Sequence, residues 1–236
     1  MPEPLKKIVI LGPESTGKST LCSQLAAHYN TFWCPEFARQ YLLGHGTDYS
    51  FEDLLTIAKG QLALEESFIE QLVVSREGQV GKGGTNQTKT PDTQVLGNIC
   101  HSALAAPFSP VTAQHLPLSI PHSLLATAHS PLTTPYFLFL DTDMYVMKVW
   151  CEFVFGQCHP FILDQIADRR YDLYLLCNPD LPWVKDELRE YPDLEIREKL
   201  YHIYRDLLIN QSVPWVEIKG GYDQRLANAI ASVEAI

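Results

Sequence analysis

The chain has 236 residues, with 18 basic and 28 acidic side chains and a formal charge of −10. That balance argues against a general nucleic-acid binder, because phosphate neutralisation needs clustered Lys and Arg. Hydrophobic residues make up 46%, enough for a sizeable core, and no apolar run approaches the ~18 residues of a membrane span.

Residues 7–11 are a short β-branched run and read as a buried parallel strand. Residues 18–28 carry helical spacing through Leu21, Leu25 and Ala26. Residues 31–34 read as a short strand and 36–43 as a short helix. Phe51 opens a long amphipathic helix through Leu54, Leu55, Ala58, Leu62, Leu64, Phe68, Ile69 and Leu72. Residues 136–140 form an apolar strand ending in Asp141, 173–177 another, and 213–218 a third whose Pro214 marks an edge or a strand start. Helices are predicted over 144–154, 194–209 and 222–234. Strands alternating with helices predict an α/β fold with a parallel sheet.

One segment departs from this pattern. Charged residues are 19% of the chain, and between 78 and 135 only Lys82, Lys89 and Asp92 carry charge. The same stretch holds Pro107, Pro110, Pro117, Pro121, Pro131 and Pro135, which interrupt helices and central strands alike. It reads as an irregular insertion in a single domain, so the body is 1–77 and 136–236. Its His101, His115, His122 and His129, with Cys100, match no standard zinc spacing. The six cysteines include no C-x-x-C pair and read as reduced, buried thiols. The start of the chain lacks the apolar core of a signal peptide, so a cytoplasmic protein is expected.

The strongest motif is Gly12-Pro13-Glu14-Ser15-Thr16-Gly17-Lys18-Ser19, a full G-x-x-x-x-G-K-[ST] between a predicted strand and a predicted helix. Its glycines let backbone N–H groups curl around a polyphosphate, and the helix N-terminus adds its positive end. Gly12, Glu14, Ser15, Thr16, Gly17, Lys18, Ser19 and Thr20 are thus the expected ATP-binding segment, with Lys18 on the β- and γ-phosphates and Ser19 on Mg²⁺. Asp141, at the end of an apolar strand, is the expected second magnesium-holding group, through water. Asp143 is either a substrate contact or a helix N-cap. The pattern argues against a signalling GTPase, since position 144 is Met where D-x-x-G needs Gly, and Thr88-Lys89-Thr90-Pro91 fails as a guanine motif. The loop itself is generic and is shared with AAA-type ATPase domains.

Four blocks in order are more specific: residues 12–20; Pro35-Glu36-Phe37-Ala38-Arg39-Gln40-Tyr41; Asp141-Thr142-Asp143 continuing through Lys148-Val149-Trp150 to His159-Pro160-Phe161; and Tyr171-Asp172-Leu173 followed by Trp183-Val184-Lys185-Asp186-Glu187-Leu188-Arg189. In these the chain resembles the ribosylnicotinamide kinase domain of NadR-type bacterial NAD-biosynthesis proteins. The resemblance implies a P-loop, adenylate-kinase-like five-stranded parallel sheet of order 2-3-1-4-5, flanked by helices. It implies ATP- and Mg²⁺-dependent phosphorylation of the 5′-hydroxyl of nicotinamide riboside to the mononucleotide. The first strand starts at residue 7, so no adenylyltransferase or DNA-binding module is expected before it. An aromatic that stacks on nicotinamide in some members aligns near Pro35, which leaves Trp33 or Phe37 to substitute.

With that resemblance, Glu36, Arg39, Asp143 and Trp33 are the expected riboside-binding residues. Lys18, Asp141, Glu36 and Arg189 are the expected catalytic groups, and one of Glu36, Asp141 and Asp143 accepts the hydroxyl proton. Glu36 and Arg39 could equally be an i, i+3 surface pair. Arg189 and Arg197, around an acidic helical segment, are the expected lid arginines on ATP. Trp183 reads as a packing anchor, Asp186 as a cap or a partner of Arg189, and Gly220-Gly221 as a turn or an adenine contact. The partner is a small-molecule riboside, without nucleic acid or membrane, and self-association is left open. The alternative is a P-loop ATPase or nucleotide-binding module without a riboside acceptor.

Overall fold

The computed structural model describes residues 5–80 and 136–236. Most of the low-charge segment, with Cys100, the histidine series and Thr88-Lys89-Thr90-Pro91, lies outside the described residues. The expected insertion start at 78 falls inside a helix that continues to Val80.

Five parallel strands form one sheet: β1 (Lys6–Leu11), β2 (Trp33–Cys34), β3 (Phe137–Asp141), β4 (Leu173–Cys177) and β5 (Trp215–Ile218), in the order β2-β3-β1-β4-β5. Val9 pairs with Leu140 on one side and Tyr174 on the other. The pleat sends successive residues to opposite faces. Ile8, Ile10, Phe137, Phe139, Leu173 and Leu175 join one core, with α1 (Lys18–Tyr29) and α7 (Tyr222–Glu234). Val9, Leu11, Leu138, Leu140, Tyr174 and Leu176 join the other. That face is covered by α2 (Phe37–His45), α3 (Phe51–Val80), α4 (Met144–Phe155), α5 (Pro160–Asp168) and α6 (Leu194–Ile209). Burial on both faces is why β1, β3 and β4 read as continuous apolar runs.

Two elements differ from the sequence reading. Helix α5 has no Ser, Thr, Asp or Asn at its N-cap to announce it. His159 occupies that position, Pro160 starts the helix, and the His159 ring stacks on Phe51 at 3.6 Å with Nε2 on the Phe51 carbonyl at 2.8 Å. The expected helical segment around Arg189 is instead irregular from 178 to 193, and α6 begins only at Leu194. Pro192 lacks the N–H a helix needs and restricts Tyr191, and Asp193 caps α6 by accepting from Glu195 N at 2.8 Å.

The carboxyl ends of the strands are held together from below. Arg225 on α7 is 1% exposed. It donates to the carbonyls of Gly220 (2.7 Å), Thr16 (3.1 Å) and Asn178 (2.8 Å), and pairs with Asp180. Those acceptors follow β5, β1 and β4 in turn. Gly12, with φ at +139°, allows a second close approach, since a Cβ there would lie 2.6 Å from the Cys177 carbonyl. Replacing Arg225 by Met should lower unfolding stability by about 3 kcal/mol, because the buried Thr16 carbonyl and two half-buried carbonyls lose their donor. Urea denaturation checks this, and an unchanged midpoint would show that water replaces the guanidinium.

Candidate active site

A cavity of about 260 Å³ opens at the carboxyl ends of β1 and β3. Its floor is the loop from Gly12 to Thr20, and every residue of that expected segment lines it. Three positive φ values, at Gly12 (139°), Ser15 (57°) and Gly17 (77°), curl the loop and begin α1 at Lys18. Thr16 Oγ1 and Lys18 Nζ both donate to the Pro13 carbonyl, at 2.8 and 2.9 Å. Backbone donors, a helix N-terminus and one ammonium therefore share the floor.

The Glu14 side chain has a different destination from that expected. A carboxylate aimed at a polyphosphate would repel it. Instead Oε1 accepts from Trp183 Nε1 (3.0 Å) and Tyr191 N (2.7 Å), while Oε2 accepts from Glu190 N (2.9 Å). Ser15 Oγ accepts from Val184 N at 3.0 Å. Trp183, read from the sequence as a packing anchor, is tied here through its indole N–H.

Asp141 is 1% exposed and accepts from Ser19 Oγ at 2.5 Å. Burial holds its carboxyl above the ordinary range, against the pull of Lys18 and Ser19. Its second oxygen, Oδ1, is buried without a hydrogen-bond partner. An orphaned carboxylate oxygen beside a hydroxyl, below a phosphate-type loop, is a hard oxygen pair that fits a divalent cation such as Mg²⁺.

Asp143 does not line the cavity. Its Oδ1 accepts from Tyr145 N (3.0 Å) and Val146 N (3.3 Å), making it the N-cap of α4. Of its two expected roles, this is the one the geometry shows. Thr142 between the two aspartates has φ at 92°, and its buried hydroxyl has no partner.

Glu36 does line the cavity, together with Lys18 and Arg39. It stands at the N-cap position of α2 yet makes no cap bond. Gln61, buried on α3, does that work: its Oε1 accepts from Phe37 N at 2.7 Å and its Nε2 donates to Pro35 O at 3.2 Å. The Glu36 carboxyl is pushed up to about 7, first by burial and then by the Asp141 charge, against Lys18 and Arg39. Arg39 is not paired with Glu36. Its guanidinium makes a two-pronged bond to Asp186, 3.1 Å on each arm.

Trp33 and Phe37 do not reach the cavity. Trp33 packs with the core on the opposite side of the sheet, as the period-2 alternation at Trp33 and Cys34 requires. Phe37 lies under α3, where a Cβ on Gly60 would strike its ring at 2.2 Å. The aromatic wall comes from elsewhere: Trp150 and Phe153 on α4, Tyr204 on α6, and Tyr191. Val146, Val149, Trp150 and Phe153 follow i, i+3, i+4, i+7 spacing, so this stripe was readable as one helix face. Trp150 is oriented by an N–H bond to Tyr49 Oη at 2.9 Å.

Of the two expected lid arginines, Arg189 lines the cavity and donates to the Val184 carbonyl at 2.5 Å. Arg197 does not. It is 4% exposed on the first turn of α6, with a 3.4 Å bond to Leu181 O and its Nε without a partner. Gly220 and Gly221 lie outside the cavity lining as well. Gly220 N donates to Asp180 and Gly221 starts α7. Among the described residues no helix is long and apolar enough to cross a membrane.

The AAA_28 family, described as an AAA domain, matches residues 7–80 and 110–225. Over 231 residues the chain is 23% identical to the trifunctional NAD biosynthesis/regulator protein NadR of Salmonella typhimurium, covering 98% of this chain and 42% of that protein. Among solved structures it is similar to NadR protein in complex with NR, with a TM-score of 0.59 and 20% identity. It is also similar to NadR protein in complex with NAD and AMP-PNP, with a TM-score of 0.57 and 21% identity. Each alignment covers 98% of this chain and 49% of the other. The chain thus spans less than half the length of these relatives, and the likeness establishes a shared fold.

The raised carboxyl of Glu36 has a stability consequence. A carboxyl with a folded pKa near 7 and an ordinary unfolded value of 4.5 favours folding in its neutral form. Its contribution is fully present below pH 4.5 and is lost as pH rises through 7. Glu36→Gln should therefore raise the melting temperature at pH 8 relative to wild type, and change it little at pH 4. A pH series of thermal melts checks this, and an equal shift at both ends would show that ionisation is not the cause.

Proposed function

The chain belongs to the AAA_28 family of AAA domains, and we propose that it is an ATP-dependent small-molecule kinase acting on the 5′-hydroxyl of a riboside, nicotinamide riboside first among them. One observation carries the reading: a phosphate-type loop and a raised carboxyl share one cavity with an aromatic wall. A nucleotidase without acceptor has no use for the second half of that chamber.

Three carboxylates competed for the role of proton acceptor. Asp141 is engaged with Ser19, and Asp143 caps α4. Glu36 faces the cavity and is left to meet the hydroxyl. Pushed up to about 7, it is a stronger base than an ordinary carboxylate and titrates within the neutral range. Trp150, Phe153 and Tyr204 give the cavity an aromatic wall suited to a planar base. The pyridinium of nicotinamide riboside adds a positive charge that aromatic rings and the Glu36 carboxylate both favour. The backbone N–H groups of the loop hold the polyphosphate, and Lys18 supplies the cation beside the transferred group. A divalent cation held by Ser19 and Asp141 would neutralise charge on the phosphates. Arg189, also in the cavity lining, would add a second protein cation. The NR and AMP-PNP named with the similar NadR structures support this assignment of donor and acceptor.

The protein with ATP, Mg²⁺ and nicotinamide riboside should yield the mononucleotide. Glu36→Gln should lower kcat/KM by roughly 10²–10⁴-fold, the usual worth of a general base. Wild-type kcat/KM should rise with pH through about 7, as Glu36 loses its proton. Product detection by chromatography checks the first claim and steady-state kinetics the others. No mononucleotide, with ATP hydrolysis indifferent to every riboside tried, would favour the acceptor-free ATPase.

A further inference from the structure

Residues 183–191 carry a sequence pattern, Trp183-Val184-Lys185-Asp186-Glu187-Leu188-Arg189, whose chemistry the reaction itself does not absorb. Its hydrogen bonds to the rest of the protein are made mostly to two other segments. Trp183, Glu190 and Tyr191 donate to Glu14, and Val184 N donates to Ser15, all on the phosphate loop. Asp186 takes both arms of Arg39 on α2. Tyr49 donates to Glu190 at 3.2 Å and itself accepts from Trp150 in the aromatic wall. The segment also closes on itself, with Arg189 donating to Val184 O and Leu188 N to Asp186. It has no helix or strand of its own. Leu188, Arg189, Glu190 and Tyr191 line the cavity together with the loop.

We propose that residues 183–191 are a strap across the cavity and that Glu14 is the positioning residue that fastens it. In that role Glu14 directs the phosphoryl group to the bound acceptor and away from water. The proposal rests on the kinase reading above for its acceptor. The argument is one of donor accounting. Glu14 receives three N–H donors from the strap, two of them backbone amides, and hydrogen bonds to a carboxylate are among the stronger ones. The other ties from the strap to the rest of the protein are a single amide to Ser15, the Tyr49 hydroxyl on Glu190 and a half-exposed ion pair to Arg39, and exposed pairs hold little. Release of Glu14 should therefore free the strap while α6 and the sheet keep their own bonds. A freed strap carries Arg189 and Tyr191 off the cavity and admits water to the phosphate site.

Amide hydrogen exchange and a partition assay test this together. In Glu14→Ala, Glu190 and Tyr191 should exchange at least roughly tenfold faster, with β4 and α6 unchanged. Acceptor-independent ATP hydrolysis, divided by transfer to nicotinamide riboside, should rise by roughly tenfold, while KM for ATP moves by less than about threefold. Trp183→Phe leaves the phosphate loop intact and removes one of the three donors. It should shift both readouts in the same direction and by less, and it carries the test if Glu14→Ala fails to fold. Adding Trp183→Phe to Glu14→Ala should change nothing further. Unchanged exchange at Glu190 and Tyr191 would overturn the strap. An unchanged or lower partition ratio, with KM for ATP alone affected, would overturn its role and make Glu14 part of the loop's shape only. Absence of transfer to any riboside in wild type would count against the kinase reading, whereas the exchange rates and the acceptor-free hydrolysis rate still decide the strap.

Discussion

Thr16, Asn178 and Gly220 lie on three separate loops, and their carbonyls converge on the guanidinium of Arg225. A parallel sheet leaves its loops at one end, but does not fix where each loop stands. Here a buried cation does so, because the Thr16 carbonyl would otherwise be unsatisfied away from water and the half-buried carbonyls of Asn178 and Gly220 share the same guanidinium. Thr16 is in the phosphate loop, so the curl of that loop is set partly from below. The close approach of Gly12 to Cys177 sets the other end of the same loop. Both constraints act before any ligand arrives, which is what preorganised electrostatic binding requires.

Above that base, charge is distributed sparingly. The cavity is lined by Lys18, Arg39 and Arg189 on the positive side and by Glu14, Glu36 and Glu190 on the negative. Arg39 is committed to Asp186, and Glu14 to strap amides. Lys18 and Arg189 make their hydrogen bonds to neutral carbonyls. The lining groups without a charged partner are thus Lys18, Arg189, Glu36 and Glu190, with Asp141 behind Ser19. Burial raises Glu36 and Asp141 together, and each charge discourages the other. A cation brought near either one relieves both.

What the sequence revealed follows the range of the interactions involved. The phosphate loop, the strands and the sheet order rest on local pattern and on a known motif order, and they stand. Asp143 could be read two ways, and local capping geometry decided between them. Trp33 was misplaced because a two-residue strand gives almost no alternation from which to tell its faces. The wall of Trp150, Phe153 and Tyr204 went unassigned because apolar residues at helical spacing suit a core as well as a cavity. Arg39 finds Asp186 at a sequence separation of 147, and Arg225 finds Thr16 at 209. No spacing rule reaches across such distances. The insertion boundary at 78 relied on falling charge, yet the helical backbone continues to Val80.

The same long-range pairs give the sequence blocks a common physical meaning. Glu14 and Ser15 come from the first block, Arg39 from the second, and Trp183, Val184 and Asp186 from the fourth. They bond one another across the cavity rather than each serving a ligand alone. A phosphate loop needs only small residues, a lysine and a hydroxyl, so the glutamate within it calls for a separate cause. Trp183 and the two amides beside Tyr191 supply it. A block that looks like a nucleotide signature is therefore in part a signature of the strap, and the acidic residue inside it is tolerable because three N–H donors hold its charge away from the phosphates.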